Sequence, residues 1–133
     1  MNKLIGKIIQ IESSQHMSMV DIDVNGDVFS SIILETPATA TYLKQGNQIT
    51  MLFKETEVSI GKNLSGLISL RNRFKAIIKE LEKSDILTKV LLDYKGKEII
   101  SIITSRSSQK LALAVGDSVE WLVKTNEVSL CNP

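Results

Sequence analysis

Sliding the 133-residue sequence along itself by 70 positions aligns it with itself without a gap, and 17 of the 63 overlapping positions are identical. Asn2 meets Asn72, Val20 meets Val90, Asp23 meets Asp93 and Gly26 meets Gly96. Ser31-Ile32-Ile33 meets Ser101-Ile102-Ile103, Leu43 meets Leu113, Gly46 meets Gly116, Lys54 meets Lys124, and Glu57-Val58-Ser59 meets Glu127-Val128-Ser129. Glycines held in register mark shared turns, so the chain is constrained to be two copies of one unit. The segment Gly61 to Gly66, with two glycines and little apolar content, has the composition of a connector. The expected organisation is a first unit over 1–62, a linker over 63–68 and a second unit over 69–133. Units of about 60 residues are marginal on their own, so the two are expected to pack together or to oligomerise.

Within the first unit, Lys3 to Glu12 and Ser18 to Val24 suit strands, and Asn25-Gly26 suits a type I′ hairpin turn into a third strand, Val28 to Leu34. A short helix is expected next, capped by Thr36 with Pro37 in its first turn. Gly46 then leads to strands over Gln48 to Phe53 and Glu57 to Ile60. The second unit repeats the pattern, with Lys95-Gly96 at the hairpin and Gly116-Asp117 before its fourth strand. One segment conflicts with the repeat. Phe74, Ile77, Ile78 and Leu81 are spaced as on a helix, yet the counterpart Lys3 to Ser13 holds Gly6 and four isoleucines and suits a strand. Equivalent segments should share a conformation, so Arg73 to Lys83 is expected to be a strand. The fold class that follows is all-β with short helices: two tandem OB-like five-stranded barrels.

Sixteen lysines and arginines against 15 acidic residues leave no long-range field to gather nucleic acid or an anionic membrane. The apolar stretch Leu4 to Ile11 is broken by Gly6, Lys7 and Gln10 and is too short to span a bilayer. A cytoplasmic location without membrane contact is expected. His16 stands alone in a loop, Cys131 has no histidine beside it, and metal-ligand spacings, phosphate loops and dinucleotide fingerprints are missing. Neither an enzyme nor a cation site is expected.

The polar groups that stand out fall at strand and helix ends of the second unit: Ser69-Leu70-Arg71-Asn72-Arg73, Thr104-Ser105-Arg106-Ser107-Ser108 and Lys124-Thr125-Asn126. A tetrahedral oxyanion stripped of water needs donors converging from several directions. Hydroxyls, backbone N–H groups and one or two cations provide them without chelation, and a helix start adds unpaired N–H groups.

Taken in order, these segments resemble the Mop (molybdate-binding, TOBE-like) domains of the molbindins, here as a tandem double-Mop chain. The resemblance rests on Ser69-Leu70-Arg71-Asn72, Ile103-Thr104 with Ser107, Leu113 through Gly116 to Val119, and Lys124 with Val128-Ser129-Leu130, and it covers nearly the whole chain. It implies non-catalytic binding of molybdate or tungstate for intracellular storage, buffering or sensing. The anion would sit between units, with Ser69, Arg71, Asn72, Lys124 and Thr125 on one side and Thr104, Ser107 and Ser108 on the other. It also implies a homo-oligomer, a dimer or trimer. Two other functions fit the same fold: the ligand-sensing domain of a molybdate-responsive transcription regulator, and an OB-like module for single-stranded nucleic acid or for assembly. The nucleic-acid reading wants stacked aromatics on a basic groove, and aromatic content is 5%.

The first unit departs from the family pattern. Ala76 replaces a family glycine that Gly6 keeps, but of the Ser-x-Arg-Asn opening the first unit retains only Asn2. Its anion loop is Leu34-Glu35-Thr36-Pro37, where Glu35 adds negative charge and Pro37 removes a donor. Asn2 and Lys54 are therefore its only and weaker candidates. Lys124→Ala is expected to remove most molybdate binding and Lys54→Ala little of it, followed by titration of Trp121 fluorescence. Equal losses would contradict the inequality of the two units.

Overall fold

The computed structural model describes residues 1–133. Ten strands run β1 (Asn2–Ser14), β2 (Met17–Val24), β3 (Asp27–Ile33), β4 (Gln48–Phe53), β5 (Ser59–Gly61), β6 (Asn72–Lys83), β7 (Leu87–Tyr94), β8 (Lys97–Thr104), β9 (Ser118–Val123) and β10 (Ser129–Cys131). One helix, α1 (Ser105–Lys110), follows β8, and a single 3-10 turn precedes each of β5 and β10. No helix is long and apolar enough to cross a membrane. The expected all-β fold with two five-stranded units is present, each sheet curled as a half-barrel. Arg73 to Lys83 is indeed extended: Phe74, Ala76 and Ile78 are buried while Lys75, Ile77 and Lys79 between and after them are exposed, the period-two alternation of a strand.

The long strands show how each sheet curls. The first half of β1 pairs with β4 and the second half with β2, with a register shift between Ile8 and Gln10. At the shift, Ile8 donates its N–H to Asn47 O and accepts from Gly46 N–H. Ile78 does the same with Asp117 and Gly116, at the matching shift in β6. A bulge bends the strand and lets one strand serve two partners. Asn25 and Lys95 both have φ of 50°, and the glycine after each is also positive, as a type I′ turn requires.

The sheets are not closed by their own chain segments. The strand orders are β10-β4-β1-β2-β3 and β5-β9-β6-β7-β8, so each repeat donates its last strand to the other sheet. Ser129 to Cys131 pairs with β4, and Ser59 to Gly61 pairs with β9. Local sequence predicted a closing strand in each repeat but carried no sign of this exchange. Buried serines fix the crossing: Ser31 Oγ donates to Val128 O and Ser101 Oγ to Val58 O, both at 2.6 Å.

Between the sheets lies one continuous core drawing on both repeats. Five of the chain's six aromatic residues meet in it. Phe29 stacks on Phe74 at 4.0 Å, and Phe53 lies nearly parallel to Trp121 at 5.6 Å. Trp121 is fully buried, and its Nε1 is the one buried side-chain nitrogen or oxygen without a hydrogen-bond partner. The two hairpins also touch. The Tyr94 hydroxyl donates to Asp27 Oδ2 at 2.5 Å and Lys95 Nζ lies 2.9 Å from the same atom. Burial pushes the Asp27 carboxyl up, but those two partners outweigh it and hold its pKa below the usual value.

Two differences between the repeats have local causes. The helix expected after Thr36 is absent, leaving only a turn in which Thr36 O accepts from Thr39 and Ala40. In the second repeat, Thr104 Oγ1 caps α1 by accepting from Ser107 N–H at 3.1 Å. The matching first-repeat positions are Leu34, which has no side-chain acceptor, and Pro37, which has no N–H, so both ends of the cap bond are lost. The second difference is Gly6 against Ala76. A Cβ on Gly6 would come within 2.5 Å of Ile22 Cγ2, 2.6 Å of the Asp23 backbone oxygen and 2.9 Å of Val24 Cγ2, so the backbone as well as two side chains would have to give. Leu92 and Tyr94 occupy those positions in the second repeat, and neither is branched at Cβ.

Gly6→Ala is therefore expected to cost about 1–3 kcal/mol by overpacking. Adding Ile22→Leu should recover part of that loss, while Ala76→Gly should cost roughly 0.5–1 kcal/mol from backbone freedom. Urea unfolding of the four proteins would check the order.

Candidate functional site

The second repeat opens beside the first repeat's edge strand, and this contact builds the site. Asn72 begins β6 and is fully buried. Its side-chain amide bridges the backbone of Ser30: Oδ1 accepts from Ser30 N–H at 2.7 Å and Nδ2 donates to Ser30 O at 2.8 Å. Asn2 makes the same pair with Ile100, both bonds at 2.8 Å. These amides satisfy the free edges of β3 and β8, where unpaired backbone groups would otherwise be buried.

Clamping residue 72 places residues 69–71 against the first repeat. A cavity of about 210 Å³ opens there, lined by Ser69, Leu70 and Arg71, by Lys124, Thr125 and Asn126, and by Met19 and Ile32 from β2 and β3. The two polar segments, 53 residues apart in sequence between Arg71 and Lys124, meet because β6 and β9 pair with Asn72 opposite Val123. The lining holds two cations, two hydroxyls and an amide, with no carboxylate. Arg71 Nε donates to Ser30 Oγ at 3.3 Å. Met19 and Ile32 form an apolar wall, which strengthens electrostatic contacts in front of it.

Of the residues singled out from sequence, Ser69, Arg71, Lys124 and Thr125 line this one cavity. Asn72, next to Arg71 in the chain, is not in the lining, and both of its amide atoms are engaged by Ser30. Thr104, Ser107 and Ser108 do not join them. Ser107 lines a separate cavity of about 310 Å³ with Ser59, Ile60, Ile103, Lys110 and Leu111. Thr104 is occupied in capping α1 and also donates to Ser107 Oγ at 3.0 Å, while Ser108 is buried. Met19, Ile32, Leu70 and Asn126 were not among the expected residues. Asn126 belongs to a segment that was singled out, but the two wall residues come from the other repeat, and no sequence signal links them to Arg71.

The first repeat's candidates are differently placed. Asn2 serves the backbone of Ile100, and Lys54 lines a cavity of about 240 Å³ that also contains Glu57 and Glu127; Lys124 lines a further cavity of about 260 Å³ with the same two glutamates, but it also faces the carboxylate-free one. Glu55 stands where Thr125 stands in the second repeat. Carboxylates in the lining oppose a bound anion. His16 is exposed in the turn between β1 and β2, and Cys131 is exposed in β10. Trp121 lies in the core three residues before Lys124, so it can sense the cavity only through the end of β9.

Comparison with known proteins gives a consistent picture. The TOBE domain model matches residues 68–130. The molybdenum import ATP-binding protein ModC of Brucella abortus is 28% identical over 115 residues, 86% of this chain. The chain spans about 30% of the length of that relative. A crystal structure of the cytoplasmic molybdate-binding protein ModG, with molybdate bound, superimposes with a TM-score of 0.92 at 26% identity, covering 99% of this chain and 96% of that one. A molybdate-binding protein from Sporomusa ovata is 39% identical, covering 50% of this chain and all of its own, with a TM-score of 0.49.

Removing the clamps should register as lost stability. Asn72→Ala leaves the N–H and C=O of Ser30 without their partner, and each unsatisfied group costs about 1–3 kcal/mol. Asn72→Ala and Asn2→Ala are both expected to lose about 2 kcal/mol or more in denaturant unfolding.

Proposed function

Because the chain belongs to the Mop/TOBE family of molybdate-binding domains, we propose that it binds molybdate or tungstate in the cytoplasm, without covalent chemistry, as a store, buffer or sensor. The seat of the anion is the cavity at Ser69, Arg71, Lys124 and Thr125. The observation that carries this reading is the convergence of two cations and two hydroxyls on one carboxylate-free cavity.

The chemistry follows from the lining. A tetrahedral dianion loses its hydration shell on entry, and each oxygen must find a donor to replace water. Arg71 and Lys124 together balance a double negative charge. The guanidinium offers paired N–H groups to two oxygens, whereas the ammonium acts as a point charge. Ser69, Thr125 and Asn126 supply neutral donors.

Thr104, Ser107 and Ser108 have a place in this reading. Thr104 and Ser107 are exposed on a separate polar surface of the second repeat, with Ser108 buried beside them, and that surface is available to a cavity of a neighbouring copy in a homo-oligomer, a dimer or trimer. The part of the importer subunit that this chain matches is about 30% of its length, and transport is not part of the proposal.

Calorimetric titration tests the reading. Molybdate and tungstate should both give saturable heat, and sulfate or phosphate at equal concentration should give much less. Arg71→Ala should weaken molybdate binding about tenfold or more through loss of a charge-assisted pair. Absence of saturable heat with every oxyanion would overturn the proposal.

A further inference from the structure

We propose that Ser30 and Asp21, both in the first repeat, are positioning residues that aim Arg71 into the cavity of the second. The proposal rests on that cavity being the oxyanion seat. Asp21 and Ser30 face each other across β2 and β3. Ser30 Oγ donates to Asp21 Oδ1 at 2.7 Å, which turns an oxygen lone pair toward Arg71, and Arg71 Nε donates to that oxygen at 3.3 Å. The chain of contacts engages only the Nε edge of the guanidinium. Its two terminal nitrogens remain for the cavity.

The repeat supplies an internal control. Seventy residues on, Leu91 and Ile100 face each other across β7 and β8 as Asp21 and Ser30 do in the first repeat. Asn2 clamps the backbone of Ile100 as Asn72 clamps Ser30. The clamp therefore needs only the backbone of residue 30 and makes no use of a hydroxyl there. A buried serine hydroxyl paired to a carboxylate is then unexplained by folding, since its counterpart positions are apolar in the same fold. What distinguishes the two places is the arginine above the first.

Arg71 is exposed and rotamer-rich, and ordering such a side chain on ligand capture costs conformational entropy. A side chain held beforehand pays less of that cost when the ligand arrives. Ser30 and Asp21 accordingly contribute to affinity without touching the anion, since neither is needed as a ligand group. They also make one repeat responsible for the aim of the other's arginine.

The test is molybdate titration of Ser30→Ala, Asp21→Leu and Asp21→Asn, with thermal melts alongside. Ser30→Ala and Asp21→Leu should each weaken binding roughly three- to tenfold, the scale of one net hydrogen bond. Asp21→Asn keeps an acceptor for the serine hydroxyl and should bind within about twofold of the unsubstituted chain. Once Arg71→Ala is present, adding Ser30→Ala should cause no further loss, because residues acting through one group are not additive. Wild-type affinity in folded Ser30→Ala, or additive losses with Arg71→Ala, would overturn the assignment. Should Ser30→Ala fail to fold, Asp21→Leu against Asp21→Asn decides it, and equal affinity of those two would also overturn it. Failure of the unsubstituted chain to bind molybdate would remove the proposed function and this assignment with it. Binding that is insensitive to residues 21 and 30 would remove the assignment alone.

Discussion

Each half of this molecule makes a sheet that is one strand short, and the other half supplies the missing strand. Ser59 to Gly61 completes the second sheet and Ser129 to Cys131 completes the first. This exchange brings the edge of β3 against the start of β6, and only there do Arg71 and Lys124 share a cavity with Met19 and Ile32. The hydrogen bonds that hold the crossing are reciprocal: Ser31 to Val128 mirrors Ser101 to Val58, and Asn72 to Ser30 mirrors Asn2 to Ile100. The site is thus a product of the interface between repeats as much as of either repeat.

Within that symmetric frame the chemistry is one-sided. The second repeat has a capped helix, a cation pair around a neutral lining, and a polar support under its arginine. The first has Leu34 and Pro37 in place of the cap and Glu55 in place of Thr125. The aromatic core is equally uneven. Phe29, Phe53, Phe74, Tyr94 and Trp121 cluster together, while the residues related to them by the repeat are Ile99, Val123, Leu4, Val24 and Met51. Packing tolerates this because the two sets fill different parts of one shared core. Duplication preserved the backbone frame, and side-chain identity diverged wherever the frame did not demand it.

Much of this was legible in the residues. The gapless offset made Arg73 to Lys83 a strand in spite of its helical spacing, and Asn25-Gly26 and Lys95-Gly96 marked turns whose positive φ values the structure contains. Ser69, Arg71, Lys124 and Thr125, singled out as polar groups at strand ends, converge because β6 pairs with β9, Asn72 opposite Val123. The missing first helix was not foreseen: Thr36 and Pro37 were expected to start it, whereas the cap bond of the second repeat falls at the positions held here by Leu34 and Pro37. Nor was the exchange of β5 and β10. Glu57-Val58-Ser59 and Glu127-Val128-Ser129 are identical, so either strand satisfies the local pattern of either sheet. Only contacts distant in sequence, such as Ser31 with Val128, distinguish the two pairings. The roles of Asn72 and Ser30 were hidden for the same reason, since a polar residue next to an arginine reads as a ligand group until the opposite strand is known.

The exchanged strands bear on how such a chain comes to be folded at all. A lone repeat of this design would have to borrow its last strand from a second molecule, and its folded population would then depend on protein concentration by mass action. Joining two repeats through residues 62–71 turns that encounter into an intramolecular one, with an effective concentration fixed by a short tether. The same event removes the requirement that partners be identical. Once each molecule carries both halves, a substitution in one need not be matched in the other, and an acidic or apolar residue that would spoil every site of a symmetric dimer spoils only one.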